Sequence, residues 1–140
     1  LNPYTQTPAD IACILKGGAY VIERNEFDRA VANIQNGCVI GYRYFDFGND
    51  YSSKTMEFAA KVRGVGCRSR IRIKLDHYES GTEIGTCEIG MDNQICRAVI
   101  NNVTGHHAVY LIVEDVSEGW GAELFKDRQL FEIESFVFTK

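Results

Sequence analysis

Two pairs of carboxylates, Glu114-Asp115 and Glu132 with Glu134, are the residues whose type and spacing most readily suggest catalysis. Glycoside hydrolysis needs such a pair, one carboxyl as general acid and the other as nucleophile or base. With 19 acidic residues in a chain of 140, chance supplies pairs of this kind, and no second signature accompanies them. There is no GxSxG elbow, HExxH run or phosphate-binding loop, and no Cys–His pair at a telling spacing. His106-His107 follows Thr104-Gly105 at one turn and His77 falls in another, positions that suit solvated or turn-packing side chains. Cys13, Cys38, Cys67, Cys87 and Cys96 form no CxxC, so zinc has no support, and most of them read as small buried hydrophobes. Their odd number leaves at least one thiol unpaired, and Cys87 and Cys96, which flank an expected hairpin turn, are the pair to test for a bridge. Taken together, these residues do not make the chain an enzyme on its own.

Binding chemistry is better represented. Sugar recognition needs aromatic faces to stack on rings, with amides and carboxylates to hydrogen-bond hydroxyls. Tyr42, Tyr44, Phe45 and Phe47 lie on one run, where strand alternation sends about half of them inward, the phenylalanines first. Trp120, between Gly119 and Gly121 in the irregular stretch Ser117 to Gln129, has no periodic reason to be core, and ligand contact and loop anchoring suit it equally. The net charge of −4 argues against nucleic acid, and the alternating Arg68, Arg70, Arg72 and Lys74 read as a strand's wet face. No apolar run is long enough to cross a bilayer as a helix, and the opening Leu1-Asn2-Pro3-Tyr4 has no signal-peptide character, so an export signal would lie outside this chain.

The elements that must position these residues are strands. With 45% apolar and 24% charged residues, 140 residues fit one globular domain, 1–140. Met56, Phe58, Ala60 and Val62 alternate with Glu57 and Lys61, and Ile71, Ile73 and Leu75 with Arg70, Arg72 and Lys74, each a strand with one wet face. Further β-rich runs cover Ala19 to Ile22, Val39 to Phe47, Thr82 to Ile89, Ile95 to Val103, Ala108 to Val113 and Leu130 to Phe138. Asn36-Gly37, Gly48-Asn49-Asp50, Ser80-Gly81 and Thr104-Gly105 supply the turns. Glu26 to Ile34 comes nearest to a helical period and reads as a loop or a single helical turn. The pattern predicts an all-β, antiparallel sandwich or barrel.

Several segments carry more than a class. They are Leu1-Asn2-Pro3-Tyr4 on to Ala9-Asp10, Ile34-Gln35-Asn36-Gly37, Phe45-Asp46-Phe47-Gly48, Met56 to Val62, Ile71 to Asp76, Ile84 to Ile89, Val103-Thr104-Gly105 with His107 and Val109-Tyr110-Leu111, and Leu130 to Phe138. In order and spacing they resemble carbohydrate-binding module family 6, and the opening is similar to modules that follow the catalytic domain of glycoside hydrolase family 43 arabinofuranosidases and xylosidases. The resemblance implies a jelly-roll β-sandwich that binds a plant cell-wall polysaccharide or oligosaccharide, xylan, arabinoxylan or β-glucan. It further implies an attached glycoside hydrolase catalytic domain, a secreted, extracellular or cell-surface setting, and one structural calcium. The family's rim cleft stacks sugar between a Tyr and a Trp and bonds it through an Asn; those places hold Val39, Asn93 and Glu132 here. Trp120, Tyr42, Tyr44, Asn93 and Glu132 are therefore the candidates for a rearranged site, and a second family site on a sheet face is not located by sequence. For calcium, Asp10 and Glu134 occupy carboxylate positions, while Pro8 stands where a third ligand is usual. The altered cleft keeps an alternative open, a structural module that has lost rim-cleft sugar binding and packs against a hydrolase domain.

Overall fold

Period-two patterning becomes eleven strands in the computed structural model, which describes residues 1–25, 28–116 and 128–140. They are β1 (Thr7–Pro8), β2 (Ile14–Lys16), β3 (Tyr20–Asn25), β4 (Asp28–Ile34), β5 (Val39–Asp46), β6 (Thr55–Gly64), β7 (Ser69–Leu75), β8 (Thr82–Ile89), β9 (Gln94–Asn101), β10 (His106–Asp115) and β11 (Phe131–Thr139). A 3-10 turn, Ala9–Ile11, follows β1. A six-stranded sheet runs β3-β4-β11-β6-β9 with β1 on β11, and a five-stranded sheet runs β2-β5-β10-β7-β8. All pairings are antiparallel, and the two sheets face each other as a jelly-roll sandwich.

The core is the inward half of each alternation. Met56, Phe58, Ala60 and Val62 of β6 and Ile71, Ile73 and Leu75 of β7 are buried, with Glu57, Lys61, Arg70, Arg72 and Lys74 outside. Phe45, Phe47, Phe58, Phe136 and Phe138 meet in the middle in tilted and edge-on pairs, the geometry aromatic quadrupoles favour. On β11 the inward set is Phe131, Ile133, Phe136 and Phe138; a register shift between Ile133 and Ser135 absorbs the extra residue.

Two expectations change. Asp28–Ile34 is a strand, not a loop or helical turn, and its alternation is masked because Ala30, Val31, Ala32 and Ile34 are all buried between β3, β11 and the Ala9 turn. Cys87 and Cys96 do not flank a hairpin, because β8 and β9 belong to opposite sheets. Both thiols are buried and free, as are Cys38 and Cys67; Cys13 is free but exposed, so it is not a buried hydrophobe. Burial, followed by the neighbouring Cys96, pushes the Cys87 thiol up to about 12.

Candidate functional site

Three of the four carboxylates that suggested hydrolysis, Glu114, Glu132 and Glu134, each face a cation. Glu114 accepts from Arg70 at 2.7 Å and Arg72 at 2.9 Å, and the Arg70 bond foremost holds its carboxyl below the usual range. A general acid needs the opposite shift. Glu132 meets Arg63 at 3.6 Å and Glu134 meets Lys61 at 3.0 Å. His107 is turn-packing: its Nδ1 lies 2.9 Å from Asp76 and its Nε2 2.7 Å from the Thr104 carbonyl.

The rim candidates gather only in part. Gly64 at the end of β6 lets the 90–94 turn tuck close, since a Cβ there would lie 2.3 Å from the Met91 carbonyl oxygen. This brings Asn93 and Gln94 beside Lys61, Arg63, Ile95 and Glu134 around a cleft of about 280 Å³, at the small end for ligand pockets. Glu132 is nearby through Arg63 but only 7% exposed. Among the described residues no aromatic ring lines this cleft. Val39 is elsewhere, buried on the outer face of the five-stranded sheet. Trp120 lies outside the described residues.

Tyr42 must be corrected. It is 1% exposed, its hydroxyl donates to the Ala9 carbonyl at 2.8 Å, and its ring packs on Phe136, so it presents no face to a ligand. Tyr44 is 60% exposed. The two part company because three residue steps of β5, Tyr42 to Phe45, oppose two of β10, Val109 to His107, and the extra residue resets the alternation.

Tyr44 adjoins the face that sequence reasoning did not assemble. Across the five-stranded sheet, register aligns Ile14, Gly41, Tyr110, Lys74 and Glu83 in one row and Lys16, Val39, Ile112, Arg72 and Thr86 in the next. Gly41 is needed in the first row: a Cβ there would come within 2.8 Å of the Tyr110 ring, which lies over it. Tyr78, from the turn after β7, packs on Tyr110 at 6.0 Å between ring centroids, with His77 stacked on Tyr78 at 4.9 Å. Val39, Ala108, Tyr110, Ile14, Tyr78 and Ile112 make a small apolar cluster outside the main core. Cations bracket it: Lys16 donates to the Tyr78 hydroxyl at 2.8 Å, and Arg43 to the Tyr110 hydroxyl at 3.4 Å. The Tyr110 bond foremost raises the Arg43 pKa, and Tyr44, the next residue along β5, is exposed. Val39, Ala108 and Tyr110 are themselves buried, so they form the base on which Tyr78 sits, and the surface open to a sugar chain is Tyr78 with the exposed Tyr44, Lys16 and Arg43. Inward Val109, Leu111 and Val113 already imply that Tyr110 and Ile112 point outward; nothing in the sequence brings Tyr78 over them.

The implied calcium fits the residues poorly. Asp10 lies 3.4 Å from the Arg29 guanidinium and Glu134 3.0 Å from the Lys61 ammonium, so each carboxylate already faces a positive charge. Among the described residues no group of three or more His, Cys, Asp or Glu side chains is arranged to hold a metal. A hard divalent cation gathers carboxylate and carbonyl oxygens, and here both candidate carboxylates are turned to cations of the protein.

The chain was compared with known proteins. The model of the carbohydrate binding module (family 6) matches residues 15–140. No curated protein matches. Among solved structures, a family 6 carbohydrate-binding module from Clostridium cellulolyticum in complex with xylose is 25% identical, with a TM-score of 0.80 and full coverage of both chains. A β-1,3-glucan binding module of the family from Bacillus halodurans is 18% identical over 99% of this chain and 98% of that one, TM-score 0.78. A glycoside hydrolase family 43 arabinoxylan arabinofuranohydrolase from Bacillus subtilis, in complex with cellotetraose, is 22% identical with a TM-score of 0.78, all of this chain matching 28% of that one.

Proposed function

The chain belongs to carbohydrate-binding module family 6, whose members bind sugars without catalysis, and from that premise we propose that it attaches a glycoside hydrolase to a plant cell-wall polysaccharide, xylan, arabinoxylan or a β-glucan. The contact surface in this reading is the outer face of the five-stranded sheet. One observation carries it: Lys16, Tyr78, Tyr110 and Arg43 form a continuous aromatic and hydrogen-bonded run there, with the exposed Tyr44 next to Arg43 in the chain, whereas among the described residues no ring lines the rim cleft. Tethering raises the local substrate concentration around the attached enzyme, and such a polymer places the module outside the cell or on its surface. Affinity electrophoresis in gels containing xylan, arabinoxylan or mixed-linkage glucan tests the reading. Retardation by at least one polymer is the expected result. It should weaken about 2- to 10-fold in Tyr44→Ala, the worth of one exposed ring contact. No retardation by any of the three refutes it.

A second reading rests on the rim. The ion-paired Glu132 and the exposed Asn93 stand at the rim, and Val39 brings no ring to it, being buried on the outer face of the five-stranded sheet. They suit a module that packs against a catalytic domain and stabilises it. Deleting the module then impairs the hydrolase on small soluble substrates; loss confined to insoluble polymer contradicts this reading.

A further inference from the structure

Resting on the assignment of the sugar contact to the outer face of the five-stranded sheet, we infer that this face takes an acidic polysaccharide, one bearing uronic acid carboxylates, with Lys16 and Arg43 as the groups that pair with them. The charge pattern of the face separates its cations into two kinds. Arg70 and Arg72 are neutralised within the protein by Glu114, and Arg72 also by Glu83. Lys74 donates to the Glu79 carbonyl at 2.9 Å. Lys16 and Arg43 have no carboxylate in contact among the described residues; each donates to a tyrosine hydroxyl, the Lys16 ammonium also lying 4.4 Å from the Tyr78 ring centroid, and Glu79 acts on Lys16 from a distance as its weakest influence. Both side chains are exposed.

Neither cation is neutralised by a carboxylate among the described residues. A salt bridge would have offset the charge at little cost, as it does for the neighbouring arginines, and a neutral polymer would be held as well by amides. The chain as a whole is acidic at −4, so a cationic strip is not a by-product of composition. Position matters as much as charge. Lys16 lies beside Val39 in register, and Arg43 is four residues along the same strand, roughly 13 Å away at the backbone. The cations thus stand at opposite ends of the Tyr78–Tyr110 floor, where a sugar chain crossing the tyrosines would present side groups. A guanidinium can meet a carboxylate with two parallel hydrogen bonds, and an ammonium adds a point charge. The surrounding protein repels a polyanion at long range, so the attraction is local and fades as salt shortens the screening length.

The test compares one backbone with and without its acid groups. Affinity electrophoresis of the full chain is run with glucuronic-acid-substituted xylan and with the same polymer after carboxyl reduction, at low and high salt. The acid form should bind about fivefold tighter at low salt, from two exposed charge contacts, and the ratio should shrink at high salt. In the variant Lys16→Gln with Arg43→Gln the ratio should fall to about one, and melting curves check that these exposed substitutions leave the fold intact. Equal binding of both forms by the native chain overturns the inference while leaving the proposed function standing. A preference that survives in the double variant also overturns it, by assigning the carboxylate contact elsewhere. No binding of either form refutes the placement of the sugar on this face and the inference with it.

Discussion

Replacing Tyr42 by Phe separates core from site. The hydroxyl is buried and donates to the Ala9 carbonyl at 2.8 Å, tying the 3-10 turn after β1 to β5 across the sandwich. Its loss would cost up to about 3 kcal/mol if that carbonyl were left without a donor. The Ala12 amide also reaches it, at 3.3 Å, so the oxygen keeps one partner and the cost falls to about 1–1.5 kcal/mol. For a domain of 140 residues this is a fall in Tm of roughly 3–6 °C. Thermal denaturation followed by circular dichroism measures it, and polysaccharide affinity measured below the transition should be unchanged. Lost affinity with unaltered stability would refute the reasoning, because it would put the Tyr42 hydroxyl on the ligand instead of on the Ala9 carbonyl.

The remaining predictions concern pH and metal. Burial holds the Cys87 thiol up at about 12 against an ordinary 9, so below pH 9 both folded and unfolded chains keep the proton and stability is unaffected. Between pH 9 and 12 only the unfolded chain releases it, so stability falls by at most about 1.4 kcal/mol per pH unit for this group. Denaturant melts at pH 8 to 11 should show that fall, shallower in Cys87→Ala; an identical slope in the variant contradicts the assignment. Excess EDTA should leave Tm unchanged, because Asp10 and Glu134 already face Arg29 and Lys61; a drop of several degrees contradicts that reading of the two carboxylates.

The strands were legible wherever one face is wet. Met56 to Val62 and Ile71 to Leu75 alternate cleanly because Glu57, Lys61, Arg70 and Arg72 lie outside. β4 was not legible because both its faces are covered, and β1 and β2, two and three residues long, are too short to show a period. The site was harder for a related reason. Tyr42 and Tyr44 share a face in any strict alternation, and only the irregular β5–β10 register divides them. Tyr110 could be placed outward from its inward neighbours, but Tyr78 and Lys16 reach it from other segments, and no local pattern encodes that meeting.

Amide chemical-shift mapping of the isotope-labelled chain, titrated with a xylan-derived oligosaccharide bearing glucuronic acid, tests the central claim most directly. The account predicts shifts that follow the outer face of the five-stranded sheet, at Lys16, Arg43, Tyr44, Tyr78 and Ile112. Shifts confined to Arg63, Asn93 and Gln94 at the rim, or no shifts at saturating ligand, would contradict it.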